Sequence, residues 1–193
     1  MNGFYCTTFV CVLLLPLASS WYFGHSSRQE AEGPIDEACI TKARRGDCMF
    51  YVCFDQRHPC MSNDYVLTYG WRFCKRYDNN YNRFTTEAKR WINATRLCAM
   101  NKLLEFYRDD HINCADVEGE SKRAVATCET EHGICDGSLL FDNKDAFGDV
   151  YRLSRAATVR FLLTMKNCGS IGMGHLMHWI RDRYHMLQEL MDD

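Results

Sequence analysis

The sequence predicts an all-α fold, a single disulfide-stapled helical domain with five intrachain disulfides. Along most of the chain apolar residues recur at the three- and four-residue steps of an amphipathic helix, and no segment of useful length alternates as a half-buried strand does. Only three prolines occur, so long helices are tolerated. Twelve cysteines are present, and ten of them follow an apolar N-terminal run.

The first segment of the chain has the pattern of a cleaved signal peptide. Residues 9–17 form an apolar run, and the small residues 18–20 follow it directly. A buried helix or a membrane anchor is the alternative, but a spanning helix needs about 20 apolar residues. We therefore expect residues 1–20 to be a signal peptide, 21–35 to be a loose N-terminal lead, and 36–193 to be the helical domain.

The composition limits what the chain can bind. Hydrophobic residues make up 47% of its 193 residues, so the chain can form a core and is not disordered by composition. The net charge is −2, with both signs mixed along the chain. We expect no nucleic-acid partner and no membrane insertion, because no basic groove and no later membrane-spanning segment is evident.

Six helices are expected from the apolar spacing, and the third has the clearest pattern. Its stripe begins at Phe84 and continues through Ala88, Trp91, Thr95 and Cys98, in steps of four, three, four and three. The six expected ranges are 36–56, 62–79, 86–107, 121–134, 144–167 and 174–191. In the second of them, a glycine at position 70 is expected to bend the helix.

The cysteines indicate an oxidising compartment. An even number behind a signal peptide predicts five disulfides. Zinc binding is the alternative, but no C-x2-C pair occurs among them. Spacing alone leaves the pairing open. The ten are Cys39, Cys48, Cys53, Cys60, Cys74, Cys98, Cys114, Cys128, Cys135 and Cys168.

Asn93 begins the sequence Asn93-Ala94-Thr95, which is an N-glycosylation acceptor pattern. At about 100° per residue, Asn93 lies almost opposite the apolar stripe of its helix. We therefore expect its side chain to face water and to carry a glycan.

The cysteine spacing and several local strings resemble the stanniocalcins. The string C-M-F-Y-V-C at 48–53 is similar to the family's C-x-A-F-x-C, and F-T-T-E-A-K at 84–89 with R-L-C at 96–98 is similar to a family helix. L-L-T-M-K-N-C at 162–168 resembles the segment before the family's last bridge. The resemblance covers about 39–190, and most cysteine intervals match.

The resemblance implies a secreted glycoprotein hormone or regulator that acts by binding. Family roles include calcium and phosphate homeostasis and inhibition of pappalysin-type metalloproteases. No catalytic residue and no cofactor is then expected, and the partner is an extracellular receptor or protease. The pairs implied by the family are Cys39–Cys53, Cys48–Cys74, Cys60–Cys114, Cys98–Cys128 and Cys135–Cys168.

The chain also departs from the family pattern. The intervals on either side of Cys60 are longer, and the sequence ends at Asp193 without the eleventh cysteine that links two subunits in vertebrate members. We therefore expect a divergent member that is a monomer or a noncovalent homodimer and that holds its partner noncovalently.

Two other function classes remain as alternatives. C-K-R-Y-D-N-N-Y at 74–81 resembles the C-x-R-H-D-x-x-Y helix of secreted phospholipases A2, in which the histidine is the general base. Here Tyr77 holds that position, and a phenol with a pKa of about 10 is a poor base at neutral pH. The first alternative is therefore an inactive or divergent lipase-like scaffold. The second is a secreted disulfide-rich toxin or host-interaction protein.

The expected C-terminal helix, 174–191, has two distinct faces. One is apolar and either joins two subunits or packs on the protein's own core. The other is a candidate site for Zn²⁺ or Cu²⁺, because imidazoles at these spacings lie one or two turns apart. A plain solvated face is the alternative. The candidate ligands are His175, His178, Asp182 and His185.

Overall fold

A computed structural model describes residues 28–60, 65–151, 155–170 and 174, and it confirms the all-α prediction. A two-stranded sheet and eight α-helices are present in this part of the chain. In order they are β1 (Arg28–Glu30), α1 (Glu37–Arg45), α2 (Met49–Arg57), α3 (Arg72–Asn80), α4 (Thr86–Arg108), β2 (His111–Asn113), α5 (Cys114–Glu131), α6 (Ser138–Asp142), α7 (Lys144–Val150) and α8 (Arg155–Asn167).

The single helix predicted over 36–56 is in fact two helices, α1 and α2. Gly46 ends α1 with φ 69°, a left-handed conformation that glycine adopts without steric cost, and its amide donates to the Ala43 carbonyl. Asp47 then accepts a hydrogen bond from the Met49 amide at 2.9 Å and starts α2. The apolar spacing does not show this break, because it continues through both helices.

A π-helical turn, Val66–Trp71, leads directly into α3, so the second predicted helix is present with an irregular first part. Gly70 lies in this turn against the ring of Tyr51. A Cβ at position 70 would be 2.6 Å from Cε1 of that ring, closer than real contacts allow. The glycine is therefore needed for the close approach of the Tyr51 ring to the backbone, and not for an unusual dihedral angle.

Helix α4 matches its prediction almost residue for residue. Thr85 precedes it and accepts a hydrogen bond from the Ala88 amide at 3.3 Å, as an N-cap residue does. The predicted stripe is buried at Ala88, Trp91 and Thr95. Because α4 contains 23 residues, it reaches from one end of the molecule's core to the other.

The fourth and fifth predicted helices have different bounds from those expected. Helix α5 begins at Cys114 rather than at 121, because Asn113 accepts a hydrogen bond from the Ala115 amide at 3.0 Å and caps it. The expected helix over 144–167 is divided into α7 and α8. Helix α7 ends at Val150, and the carbonyl of Val150 accepts a hydrogen bond from the Arg76 guanidinium at 3.1 Å.

The sheet was not predicted, since each strand has only three residues. β1 and β2 pair antiparallel, with Gln29 opposite Ile112. β1 belongs to the segment expected to be a loose lead. Buried Arg57 holds this region together, because its guanidinium donates to the carbonyls of Tyr107 and Gly33 and forms an ion pair with Asp110 at 2.8 Å.

The core consists of two clusters that α4 connects. The first contains Phe50 and Phe54 of α2 and, from the end of α4, Tyr107. The second contains Trp91 of α4 and, from α7, Phe147. Phe50 meets Tyr107 edge to face in the first cluster, and Trp91 meets Phe147 edge to face in the second, an arrangement that adds to the hydrophobic stabilisation.

Candidate functional site

Five disulfides connect the elements of the described chain. Each pair has Cα atoms 5.4–5.8 Å apart, within the range that a disulfide spans without distortion. The pairs are the same five that the stanniocalcin resemblance implies. They are Cys39–Cys53, Cys48–Cys74, Cys60–Cys114, Cys98–Cys128 and Cys135–Cys168.

The bridges fix one helix to another rather than closing turns within a helix. The first four connect α1 with α2, the start of α2 with α3, the chain after α2 with α5, and α4 with α5. The fifth closes a loop that contains α6, α7 and α8. Sequence separations run from 14 to 54, so on an entropic model each bridge stabilises the fold by about 3–4 kcal/mol.

Asn93 lies on the exposed face of α4, as the helical geometry predicts. Its Nδ2 atom donates a hydrogen bond to the Tyr81 hydroxyl at 2.9 Å. An N-linked glycan replaces only one hydrogen on this nitrogen, so the other can keep the contact with Tyr81. Thr95, the third residue of the acceptor pattern, is buried. Sugar transfer would therefore have to precede the packing of α4.

The segment that resembles a phospholipase A2 helix lies in α3. Tyr77 occupies the position of the general base, and its hydroxyl donates to the Tyr151 hydroxyl at 3.1 Å. Burial raises the pKa of Tyr77 above its ordinary value, which keeps the phenol protonated. The adjacent Asp78 forms ion pairs with Arg96 at 2.8 Å and with Lys75 at 3.4 Å. These contacts make both residues structural, since neither presents a free base.

A buried ion pair between α5 and α8 is the strongest polar feature of the second core cluster. The exposed fraction of the side chain is 1% for Glu129 and 8% for Arg160. Arg160 Nε donates to Glu129 Oε1 at 2.7 Å, and its Nη2 donates to the same oxygen. The Tyr151 hydroxyl and the Thr164 hydroxyl also donate to the carboxylate, so both of its oxygens are satisfied.

The Arg160 guanidinium is enclosed by aromatic rings. Its central carbon lies 4.9 Å from the ring centre of Phe73 and 5.8 Å from those of Tyr69 and Tyr151. Burial alone would lower the pKa of Arg160, but the Glu129 carboxylate holds that pKa well above its ordinary value. The ion pair therefore stays charged inside the protein.

The sequence analysis missed Glu129, Arg160 and Arg57. Each is a charged residue beside an apolar stripe, which is also the pattern of a solvated helix face. The one available signal is position: Glu129 directly follows Cys128, and a bridged cysteine brings its neighbours toward the interior. That signal is weak, because Thr127 on the other side of the cysteine is exposed.

The candidate metal ligands His175, His178, Asp182 and His185, and the C-terminal helix that carries them, lie outside the described residues. Within the described ranges, no group of three or more histidine, cysteine, aspartate or glutamate side chains is arranged to hold a metal ion. The zinc hypothesis for the C-terminal histidines therefore stays a prediction. The predicted signal peptide, 1–20, also lies outside the described residues.

Comparison of the chain with protein-family models, with characterised proteins and with solved structures gave no match. Among the helices that the structure describes, none combines the length and the apolar character needed to cross a membrane. Five disulfides are consistent with an extracellular protein.

Proposed function

We propose that this chain is a secreted, stanniocalcin-like regulator that acts by binding an extracellular protein. The observation that carries the proposal is the disulfide set. Ten cysteines can pair in roughly 900 ways, and spacing alone does not choose among them. The five pairs of the structure are those of the family that the sequence resembles.

Secretion is part of the proposal. Disulfides persist in oxidising compartments and are rare in the cytosol, so five bridges in one chain favour export. The exposed Asn93 of the acceptor pattern fits the same route, because N-linked glycans are added during export. Glycosylation at this position would cover the part of α4 that faces water.

A binding role agrees with the chemistry of the described side chains. Tyr77, at the position of a lipase base, is buried and donates to Tyr151. The ion pair of Glu129 with Arg160 is enclosed by its own partners and presents no open charge to a substrate. All ten cysteines from 39 to 168 are in disulfides, so a protein partner would be held without a covalent bond through them.

Two extracellular roles follow from the resemblance: inhibition of a pappalysin-type metalloprotease, and signalling in calcium or phosphate homeostasis through a receptor. The inhibitory role gives the sharper test, because it has a direct readout. The mature protein should lower the rate at which such a protease cleaves its protein substrate. It should form a complex that dissociates in denaturant without reductant.

The matched control is the same protein after reduction and alkylation of its cysteines, which removes the rigid frame and should remove inhibition. A calcium-dependent phospholipid hydrolysis assay on the same preparation tests the lipase-like alternative. Release of fatty acid by the native protein, lost after reduction, would contradict a pure binding role. Absence of both inhibition and saturable cell-surface binding would contradict the regulator proposal.

A further inference from the structure

Three buried hydroxyl groups of the core have no hydrogen-bond partner among the described residues: those of Tyr65, Thr95 and Ser121. The exposed fractions of these residues are 8%, 5% and 4%. Buried hydroxyls are nearly always paired in native proteins, and each unpaired one is destabilising. Three such groups in one region therefore call for a ligand or for bound water.

The three residues that carry these hydroxyl groups line the same cavity. The cavity has a volume of about 50 Å³ and lies where α3, α4, α5 and α8 meet, with Tyr69 and Trp91 among its aromatic walls. A space of this size accepts water molecules or the polar end of a ligand, but it is too small for a whole organic ligand.

A larger groove adjoins this cavity on the side of α4 and α5. Its volume is about 240 Å³, and its apolar lining includes Leu103 and Phe106 of α4 and Ala124 of α5. Leu103 and Ser121 line both the groove and the inner cavity. Ser121, whose hydroxyl is unpaired, therefore lies between the inner cavity and the apolar groove.

The charges around the two spaces favour a neutral ligand. The two guanidiniums at the inner cavity already face carboxylates, Arg160 that of Glu129 and Arg96 that of Asp78. An ion entering the cavity would lose its hydration without gaining a free counter-charge. The unpaired groups are hydroxyls, which both donate and accept and so match an alcohol or a carbonyl.

The edge of the groove does not select a charged ligand either. Lys102 and Glu105 contribute opposite charges, and both are exposed. Glu120 is already paired with Arg123. The volume of the groove is below the 300–1,000 Å³ or so that holds a drug-sized molecule.

We propose that the groove between α4 and α5 and the adjoining cavity bind a small, uncharged amphipathic molecule. Its apolar body lies on Leu103, Phe106 and Ala124, and its hydroxyl or carbonyl group pairs with the Ser121 hydroxyl. The proposal does not depend on the proposed function, because binding of such a molecule is measured without a protease or a receptor.

The test uses three probes with the same six-carbon chain and different ends: 1-hexanol, hexanoate and hexylammonium. Each is titrated into the mature, disulfide-bonded protein by calorimetry. We expect 1-hexanol to bind saturably with about one site per chain. Its affinity should exceed that of either ion by about tenfold or more, because burying an unpaired charge is unfavourable.

Two substitutions locate the site. Ser121→Ala removes the hydroxyl and should weaken 1-hexanol binding by about three- to tenfold, the range for one hydrogen bond. Ala124→Phe fills the groove and should abolish binding. Ala115→Phe is the matched control, because Ala115 is exposed near the start of the same helix and is not part of the groove.

Circular dichroism shows whether Ala124→Phe folds; if it does not, Ser121→Ala decides the outcome alone. Several results would overturn the proposal: no saturable 1-hexanol binding to the wild type, unchanged affinity in Ser121→Ala, or equal affinity for all three probes. Ordered water would then be the occupant of the inner cavity.

Discussion

Replacement of Glu129 by glutamine tests how the second core cluster is held together. The substitution keeps the size and shape of the side chain and removes only its negative charge. Arg160 would then lie in the interior, 8% exposed, without a counter-ion. Aromatic rings around the guanidinium compensate only in part, since a cation–π contact is worth about 0.5–2 kcal/mol.

The expected loss follows from the burial of both charges. Removal of one partner from a buried ion pair costs about 3–5 kcal/mol, because the remaining charge has lost its hydration. Glu129 also accepts from Tyr151 and from Thr164, and a glutamine keeps a single accepting oxygen for these donors. We therefore expect the free energy of unfolding of Glu129→Gln to be lower by about 3–5 kcal/mol.

Equilibrium unfolding in urea measures this change, because urea does not screen the charges. Glu118→Gln is the control on the same helix: Glu118 pairs with Lys122, and both side chains are about one-third exposed. Loss of such a surface pair should cost only about 0–1 kcal/mol. Arg160→Met completes a double-substitution cycle with Glu129→Gln.

The cycle also defines the result that would refute the role given to the ion pair. If the pair stabilises the core as a unit, the double variant should be far more stable than the sum of the two single losses implies. If the free energy of unfolding falls by the same amount in Glu129→Gln and in Glu118→Gln, to within about 0.5 kcal/mol, the Arg160 charge must be hydrated or displaced in the variant.

Three further changes have definite expected outcomes. His58 is fully buried, and burial together with the charge of Arg57 lowers its pKa. The unfolded chain therefore binds a proton at His58 more readily than the folded chain, so the free energy of unfolding should fall as the pH is lowered from 7.5 to 5.5, by at most about 1.4 kcal/mol per pH unit. His58→Leu should flatten this pH dependence in urea titrations. Gly70→Ala should destabilise the protein by about 1–3 kcal/mol, because the new methyl group would collide with the Tyr51 ring. The control Gly119→Ala meets only the flexible Arg123 side chain, at 3.7 Å, and should stabilise the protein by about 0.5–1 kcal/mol. Equal melting temperatures of the two variants would contradict the packing at position 70. Protein from a eukaryotic secretion host should lose mass on treatment with peptide N-glycosidase, and Asn93→Gln should remove this loss; an unchanged mass in both proteins would mean that the site is unoccupied.

Helices of this protein were predictable from the sequence where an unbroken apolar stripe coincided with a single helix. Helix α4 has an unbroken apolar stripe and a threonine before it, and its predicted range of 86–107 agrees with Thr86–Arg108. Helices α1 and α2 were merged, because the stripe continues through a break that depends on the left-handed Gly46. The strands were missed because three residues carry no recognisable period.

Features that depend on three-dimensional packing were not predictable from the periodicity. Arg57 and Glu129 are buried because their partners come from distant parts of the chain, such as Asp110 and Arg160. A helical wheel assigns such residues to solvent. The groove at Ser121 likewise forms only where α4 and α5 meet, so no local sequence pattern marks it. The disulfide pairing was available only through the family resemblance.

Disulfide mapping of protein collected from the medium of a eukaryotic secretion host is the most direct test of the central claim. The full sequence is expressed with its own N-terminal segment, and the secreted protein is digested without reductant and analysed by mass spectrometry. We expect a soluble product with linked peptides for Cys39–Cys53, Cys60–Cys114 and the other three pairs of the structure. Retention of the chain inside the cell with free thiols, or a different set of linked peptides, would contradict a secreted stanniocalcin-like regulator.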